Sequence, residues 1–251
     1  MTKKPVVFFT FVSDNYYYPV GTYKMITSFK RFHPDIDLVV FRQADVDRIF
    51  KEKDLNFYNA KPTFAKLLSN KYDLVANIDA DSVVTGRLDA ILDDNYDVGS
   101  VLNLNDYENT SVDNVTEDMY LNAGLIASRN PKFWDIWEEA NKEAMEYKCK
   151  ENDIMNLVIY NNPIVKRMRL KIFDKDKDYY GCKSLNREPE FYIEKDELFC
   201  RGEKVKIYHH AKGGGALPKL QYEEMSFTPS VVDWLNKVSM QGYTTEVYAS
   251  L

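Results

Sequence analysis

Two acidic residues, Asp79 and Asp81, stand one residue apart in the stretch "NIDADSVVTG", directly after the apolar run "YDLVANI" (72–78). Side chains at i and i+2 of an extended segment point the same way, so both carboxylates can face one point across the small Ala80. Adjacent carboxylates repel unless a positive charge lies between them, and hard divalent cations prefer oxygen ligands. The motif therefore predicts a metal-diphosphate site. A solvated turn is the alternative, because D-x-D also occurs by chance in acidic chains.

Two of the three histidines, His209 and His210, are adjacent and open the stretch "HHAKGGG" after the short apolar-alternating run "KVKIY". An imidazole nitrogen is a borderline ligand that favours Mn²⁺ over Mg²⁺ beside two carboxylates. The three glycines would let backbone amides approach a phosphate, and Lys212 or Lys219 would neutralise its charge. A plain flexible loop is the alternative interpretation of the glycines.

The elements that must position these residues alternate between strand and helix along the first 160 residues. Apolar runs rich in β-branched and aromatic residues predict strands over 5–12, 36–41, 72–78, 97–103 and 120–128. Helical spacing, with Pro or Asn at several starts, predicts helices over 20–32, 45–53, 62–70, 130–147, 151–160 and 230–238. This order indicates an open, mostly parallel α/β sheet, in which ligands bind at the carboxyl ends of the strands.

Composition sets further bounds. The chain has 251 residues, of which 45% are hydrophobic, enough for one large α/β domain. A formal net charge of −6 argues against nucleic acid or an anionic membrane as the main partner. The one basic run, "KRMRLK" (166–171), predicts an edge strand that carries protective charge.

The cellular setting is predicted from the cysteines and from the apolar runs. Cys149, Cys182 and Cys200 are odd in number and widely spaced, which indicates free thiols in a reducing compartment. The first apolar run is too short for a signal peptide and is interpreted as a strand, and no run is long enough to span a membrane. We therefore expect a cytoplasmic protein.

Taken together, the motifs resemble glycosyltransferase family 8, the glycogenin and galactosyltransferase group with the GT-A fold. The resemblance runs from about residue 5 to about residue 219, in six blocks that follow the order of the family. These blocks are "FFTFVSDNYYYPVGTYKMITSFKRFHP", "TFAKLL", "NIDADSVVTGRLDAIL", "YLNAGLIASRNPKFW", "ENDIMN" and "HHAKGGG". The resemblance implies a GT-A-type open, mostly parallel but mixed sheet flanked by helices, with a Rossmann-like nucleotide-binding half.

The same resemblance implies one domain over 1–251. It would comprise a nucleotide-binding half (1–105), a donor and acceptor half (106–220) and a C-terminal helical appendage (221–251). The implied activity is that of a hexosyltransferase in glycan biosynthesis, which moves a sugar from a nucleotide sugar, with uridine diphosphate as the carrier, to an acceptor hydroxyl. The acceptor would be a glycan, a glycoprotein or a small molecule, and the cofactor Mn²⁺ or Mg²⁺.

Residue roles also follow from the resemblance. The metal ligands would be Asp79, Asp81 and His210, because His210 to Gly213 fits the H-x-x-G pattern, and His209 competes for that place. The residues implied to contact the donor are Phe11, Val12, Tyr16, Lys66, Asp79, Ala80, Asn122, Ala123, Gly124, Lys212 and Gly213. The backbone around Phe11 and Val12, with the ring of Tyr16, would hold the base. Lys66 would contact the sugar or phosphate, and Asn122 to Gly124 would border the sugar. Asn152 and Asp153 would lie near the reacting carbon.

The chain departs from the family at two of these blocks. The usual K-P-W after the glycine is replaced by "GGALPK", so either Lys212 or Lys219 would contact the diphosphate. The usual D-Q is aligned with Asn152-Asp153, which leaves two stereochemical outcomes. With retention, the leaving phosphate takes the acceptor proton and Asn152 orients the reactants. With inversion, Asp153 acts as the base.

Two rival classes remain for the acidic motif. "DADSVV" also fits the nucleophile motif of haloacid-dehalogenase-like phosphatases, although that motif usually lies on the first strand and here two strands precede it. A nucleotide-sugar binding module without turnover is the other alternative. Slow hydrolysis of a donor with Mn²⁺ would distinguish an enzyme from such a module.

Overall fold

The computed structural model describes most of the chain. The described residues are 4–12, 17–53, 60–93, 95–103, 112–116, 118–144, 151–173, 178–179, 191–200, 202–209 and 229–239. Twelve strands and seven α-helices lie within these ranges.

The strands begin and end close to the predicted limits in the first half of the chain. They are β1 Lys4–Val12, β2 Asp37–Arg42, β3 Tyr72–Ile78, β4 Ser82–Val84, β5 Val98–Leu102, β6 Leu121–Ser128, β7 Leu170–Ile172, β8 Asp178–Tyr179, β9 Phe191–Glu194, β10 Glu197–Cys200, β11 Glu203–Val205 and β12 Ile207–His209. The helices are α1 Tyr17–Phe32, α2 Gln43–Lys53, α3 Lys61–Ser69, α4 Asp89–Leu92, α5 Pro131–Ala144, α6 Glu151–Asn161 and α7 Pro229–Ser239.

The main sheet has six strands in the order β2-β1-β3-β6-β5-β7. β1 is parallel to β2 and β3, and β5 is parallel to β7, whereas β6 runs antiparallel to both β3 and β5. The predicted open, mostly parallel and mixed α/β sheet is therefore confirmed. β3 buries five consecutive residues and β6 buries all eight of its residues, as expected of strands covered on both faces.

Two hydrophobic cores cover the two faces of this sheet. On one face, α3, α5 and α6 pack Phe64, Trp134 and Met155 against residues of β1, β3 and β6. On the other face, α1 and α4 contribute Met25, Phe29 and Ile91. In α6 the buried apolar positions Ile154, Met155, Val158 and Ile159 recur every three to four residues, as the helix pattern of the sequence predicts, whereas α3 is buried on most of its surface.

Local sequence explains where the helices begin. Pro62 lies in the first turn of α3, where its missing N–H has no partner to lose. The side chain of Asn130 accepts a hydrogen bond from the N–H of Lys132 at 3.1 Å and caps α5, as the sequence predicts. Its backbone carbonyl accepts from Phe133 at 3.0 Å and closes the first turn.

β7 lies at one edge of the main sheet, where the basic run "KRMRLK" was expected. Arg169 forms an ion pair with Asp97 at 3.2 Å, and Lys171 forms one with Asp93 at 3.0 Å. The edge-strand prediction holds only for the end of the run, Leu170 and Lys171, because Lys166 and Arg167 lie in a short 3₁₀ helix over Val165–Arg167.

The chain after residue 173 builds a smaller unit beside α1. β8, β11, β10 and β9 form a four-stranded sheet in that order, and β12 pairs with β4 in a separate two-stranded ladder. α7 packs on β9 and α1, and its apolar residues share a third core with β10 and β12. Within the part of the chain that the structure describes, every helix is too short or too polar to cross a bilayer.

Candidate active site

The candidate site lies at the carboxyl edge of the main sheet. From β1 the chain first crosses to β2 on one side and later returns to β3 on the other, so a crevice opens between the ends of β1 and β3. Phe11 and Val12 end β1 there, and Asp79 directly follows β3. The topology therefore brings the predicted base-binding residues and the acidic motif to the same edge.

Asp79, Asp81 and His209 form a cluster at this edge. One ligand atom from each of the three lies within 4.8 Å of the others. His209 Nε2 is 2.9 Å from Asp81 Oδ1 and 3.7 Å from Asp79 Oδ2. The carboxylates are partly buried and the imidazole is buried. The acidic pair is thus brought together with a histidine about 130 residues later, and this histidine is His209, the competitor of the predicted ligand His210.

His209 reaches the carboxylates through the two-stranded ladder. β4 begins immediately after Asp81, and Ser82 pairs with His209 in the antiparallel register of β4 and β12. The imidazole ring then lies against Gly124 of β6, where an added Cβ would be only 2.4 Å from His209 Cε1. Glycine is required at this position because the ring packs directly onto the backbone.

Lys61, the first residue of α3, neutralises the acidic motif from the opposite side. Its Nζ lies 2.8 Å from Asp79 Oδ1 and 3.2 Å from Glu151 Oε2, and it donates to the carbonyl oxygen of Ala123 at 3.0 Å. Burial lowers the pKa of Lys61, but the two carboxylates more than offset this effect and hold it above its usual range. Burial likewise raises the pKa of Asp79, and the positive charges of Lys61 and His209 reverse the shift and hold it below its usual range.

Glu151 opens α6 and points into the same cluster. Burial raises the pKa of Glu151 to about 7, and Lys61 offsets only part of this effect. Among the described residues, its Oε1 atom is buried and has no hydrogen-bond partner, and the same holds for Oδ1 of Asn77. Asn77 donates its amide to Asp79 Oδ1 at 3.2 Å. Two buried acceptors close to Lys61 and Asp79 therefore lack a hydrogen-bond partner among the described residues.

A β-bulge in the β5–β6 pairing shapes the backbone at this site. The register shifts between Ser100 and Val101, and the Ser100 hydroxyl hydrogen-bonds to the carbonyl oxygens of Asn122 and Leu125 at 3.0 and 2.9 Å. The carbonyl of Gly124 accepts from the N–H of Asp79 at 2.9 Å. Bulges are common beside active sites because they redirect the backbone, and here the bulge lies next to the "NAG" stretch.

α6 is fixed to β6 by two asparagine side chains. Asn156 accepts from the N–H of Leu121 and donates to its carbonyl, both at 2.8 Å, as a neighbouring strand would. Asn152 accepts from the N–H of Ala123 at 2.9 Å. Asp153 accepts a hydrogen bond of 2.5 Å from the Tyr120 hydroxyl. Burial and the adjacent carboxylate of Asp153 raise the pKa of Tyr120.

The donor set fits a hard or borderline divalent cation. Two carboxylates and one imidazole nitrogen match the preference of Mn²⁺, and a Mg²⁺ site of oxygen ligands alone would leave the histidine unexplained. An octahedral ion with bonds of about 2.1 Å places adjacent ligand atoms about 3 Å apart and opposite ones about 4 Å apart. The separations of 2.9 and 3.7 Å between His209 and the two carboxylates lie in this range.

The side chains of Lys66 and Phe11 both have structural partners, and for Phe11 this is compatible with the predicted contact through its backbone. Lys66, expected at the donor, forms ion pairs with Asp135 at 2.9 Å and Glu138 at 3.0 Å, which tie α3 to α5. Lys61, five residues earlier at the start of the same helix, contacts Asp79 instead. Phe11 packs edge-on against Phe64 at a centroid distance of 5.2 Å, so its ring belongs to the core while its backbone ends β1.

The remaining predicted site residues divide into two groups. Ala80 is buried between the two aspartates, and Asn122 accepts a hydrogen bond from the N–H of Gly124 at 2.6 Å. Tyr16, His210, Lys212, Gly213 and Lys219 lie outside the described residues. The prediction that His210 is a metal ligand stays a prediction, and among the described residues the competing His209 lies at the carboxylates.

Sequence reasoning missed Lys61 and Glu151. Lys61 could have been identified from the sequence, because a cation at the first position of a helix interacts unfavourably with the helix dipole and a nearby carboxylate would offset this. Glu151 carried no such signal, because acidic residues are normal in the first turn of a helix. Only the packing of α6 against β6 brings Glu151 to Lys61.

No protein-family model matches the sequence, and no curated protein matches it. Solved structures do match. The galactosyltransferase LgtC, solved with donor and acceptor sugar analogs, is 13% identical, with a TM-score of 0.54 over 98% of this chain and 100% of that chain. The apo form of mouse xyloside xylosyltransferase 1 is 10% identical, with a TM-score of 0.52 over 84% of this chain and 99% of that one.

A third structure, the bifunctional glycosyltransferase WbbM, is 18% identical, with a TM-score of 0.51 over 95% of this chain and 52% of that chain. The chain has the GT-A glycosyltransferase fold. At these identities the likeness extends to the GT-A fold alone. A conclusion about function therefore depends on the geometry at the carboxyl edge of the GT-A sheet, where Asp79, Asp81, His209, Lys61 and Glu151 lie.

We predict that Gly124→Ala weakens Mn²⁺ binding by about tenfold, because the new methyl group displaces the His209 ring from Asp81. Gly99→Ala is the matched control. Its Cβ would lie 2.3 Å from Phe173, away from the cluster, so overpacking costs about 1–3 kcal/mol of stability without a change in metal affinity. Titration with Mn²⁺, followed by electron paramagnetic resonance, measures both variants. Equal affinities in the two variants would contradict the placement of His209.

Proposed function

We propose that the protein is a metal-dependent glycosyltransferase that moves a sugar from a nucleotide sugar to an acceptor hydroxyl. The observation that carries the proposal is the cluster of Asp79, Asp81 and His209 at the carboxyl edge of a GT-A sheet. LgtC, which has the same fold, was solved with donor and acceptor sugar analogs. From the family resemblance of the sequence blocks we assign a uridine diphosphate sugar as the donor of this chain, and from the ligand set we assign Mn²⁺ as the cofactor.

Asp79, Asp81 and His209 would hold the cation. When bound, it would neutralise charge that develops on the leaving diphosphate. Lys61 keeps Asp79 ionised and fixes its orientation through the 2.8 Å contact, so that the second carboxylate oxygen faces His209. We propose His209 as the third ligand in place of His210, since its Nε2 atom is within 3.7 Å of both carboxylates.

Glu151 and Asn77 are proposed to receive the donor sugar. Their buried and unpartnered oxygen atoms lie beside Asp79, and sugar hydroxyl groups are suitable donors for them. Glu151 is held in place by Lys61 and by the start of α6, so it can select a sugar by the position of one hydroxyl. A site built to pair a substrate hydroxyl strongly rejects a sugar that lacks it.

Retention is the outcome that we favour for the transfer. Tyr120 already donates to one oxygen of Asp153, which leaves this carboxylate engaged in a structural contact and less suited to act as the base of an inverting enzyme. Asn152 accepts from the N–H of Ala123 and is thereby held at the "NAG" stretch beside the donor sugar. In a retaining transfer the leaving phosphate takes the acceptor proton, and Asn152 positions the reactants.

The proposed activity is tested by incubating the protein with a panel of nucleotide sugars and measuring sugar release. With Mn²⁺ we expect slow hydrolysis of at least one uridine diphosphate sugar, and we expect a chelator to abolish it. Asp81→Ala should lower the rate by about 100-fold. Asp73→Ala, at the exposed start of β3, should leave the hydrolysis rate unchanged.

A different result would favour a rival class. Hydrolysis of a phosphomonoester that uridine diphosphate does not inhibit would indicate a phosphatase. Mn²⁺-dependent binding of a nucleotide sugar without any release would indicate a binding module.

A second test separates the two lysines of α3. Lys61→Met should lower donor hydrolysis by about 10- to 100-fold, because Asp79 and Glu151 then face each other without a cation. Lys66→Met is the control: it removes the ion pairs to the half-exposed Asp135 and to the buried Glu138, so it should lower stability, while the rate of the folded protein stays within about twofold. The reverse pattern of rates would assign the donor contact to Lys66.

A further inference from the structure

The ladder of β4 and β12 supports the candidate metal site but is too small to be stable alone. Each strand has three residues, and β12 pairs only with β4 among the described strands. Asp81 immediately precedes one strand and His209 ends the other. An isolated pair of strands is at best marginally stable in water, so the distance between these ligands depends on what packs against the ladder.

The two faces of the ladder contact different parts of the protein. Val84 and Ile207 face the main core with α1, and the Ser28 hydroxyl accepts a hydrogen bond from the N–H of Val84 at 3.0 Å. Val83 and Tyr208, which are cross-strand neighbours, face the opposite way. Because His209 directly follows Tyr208 and Asp81 lies two residues before Val83, an outward movement of Val83 and Tyr208 would also move these two ligands.

Val83 and Tyr208 belong to a compact group that we call the outer cluster. It consists of buried residues from β4, β12, the β9–β10 hairpin, β11 and α7. These residues are Val83, Phe191, Leu198, Cys200, Val205, Tyr208, Val231, Trp234, Leu235 and Val238. α7 supplies four of them at positions i, i+3, i+4 and i+7, so one whole face of the helix packs on the hairpin and the ladder.

α7 is attached to the hairpin by a polar contact at the surface. Trp234 Nε1 donates to Asp196 Oδ1 at 3.0 Å, and Lys237 lies 3.3 Å from the same oxygen. Asp196 and Lys195 form the tight turn of the hairpin with φ values of 61° and 51°. Aspartate tolerates this left-handed conformation, so the turn presents a carboxylate at a fixed place beside α7.

We propose that the outer cluster is a positioning element for the metal site. The proposal rests on the proposed function, since it assumes that Asp81 and His209 bind the cation. α7 and the hairpin pack against Val83 and Tyr208 on the outer face of the ladder, and the His209 ring packs against Gly124 on the other side. The distance of 2.9 Å between His209 Nε2 and Asp81 Oδ1 is thereby fixed by packing against the outer cluster on one side and Gly124 on the other. Val231, Trp234 and Leu235 are positioning residues, although none of them contacts the cluster of ligands.

A purely structural role for α7 makes a different prediction. If the outer cluster only stabilised the fold, then a cavity within it would lower the unfolding temperature and leave the metal affinity of the folded molecules unchanged. A cavity of the same size in another core gives the reference for that case.

The test compares Val231→Ala with Val46→Ala. Both valines are fully buried helical residues, but Val46 lies on α2 in the core on the far side of the main sheet. Mn²⁺ is titrated into each full-length variant well below its unfolding temperature, and electron paramagnetic resonance reports the bound ion. We expect similar decreases in unfolding temperature, a dissociation constant raised by about three- to tenfold for Val231→Ala, and no change beyond about 1.5-fold for Val46→Ala.

The outcomes separate the two proposals. If wild-type protein and Val231→Ala bind Mn²⁺ equally, while Asp81→Ala does not bind it, the positioning role is overturned and the proposed function stands. If the wild-type protein fails to bind Mn²⁺, the proposed function fails and the positioning role fails with it. If Val231→Ala does not fold, Val238→Ala makes the same comparison at the end of α7 and is expected to raise the dissociation constant in the same direction.

Discussion

Three carboxylates, those of Asp79, Asp81 and Glu151, converge at the carboxyl edge of one sheet, and their mutual repulsion is the constraint on which the surrounding structure depends. In a partly buried site this repulsion is strong, because little water screens it. Lys61 lies between Asp79 and Glu151, and His209 lies beside Asp79 and Asp81. Lys61 and His209 together hold the pKa of Asp79 below its usual range. For Glu151, burial outweighs the effect of Lys61 and raises the pKa to about 7.

The elements that bring these charges together are far apart in the chain. α3 supplies Lys61, α6 supplies Glu151, and β12 supplies His209. β6 connects all three: it accepts a hydrogen bond from Lys61 at Ala123, it docks α6 through Leu121, and it provides the glycine against which His209 packs. The antiparallel β6, inserted between parallel strands, is therefore the scaffold of the site.

Much of the fold follows from the sequence, because the strands of the main sheet and the long helices have unmistakable patterns. β3 was predicted at its observed limits, and an edge strand was expected from the basic run whose last two residues lie in β7. The direction of β6 could not be predicted, since a strand buried on both faces has the same apolar pattern whichever way it runs. β4 and β12 are too short to show any period.

The candidate site was predictable in its acids and less so in its partners. Asp79 and Asp81 stand out in sequence because two acids end an apolar run. The choice between His209 and His210 depends on the register of a three-residue strand, and a shift of one residue turns a side chain to the other face. Lys61 reaches Asp79 only because α3 begins at the sheet edge, which is a tertiary property. The six blocks in family order predicted the GT-A fold correctly, even though the solved structures share less than a fifth of their residues with the chain.

The central claim is that Asp79, Asp81 and His209 together bind one divalent cation. Anomalous diffraction from crystals grown with Mn²⁺ and uridine diphosphate tests it most directly. The account predicts a single strong manganese peak within about 2.3 Å of an oxygen of each aspartate and of His209 Nε2. A peak bound to His210 instead, or no peak between the two aspartates, would contradict it.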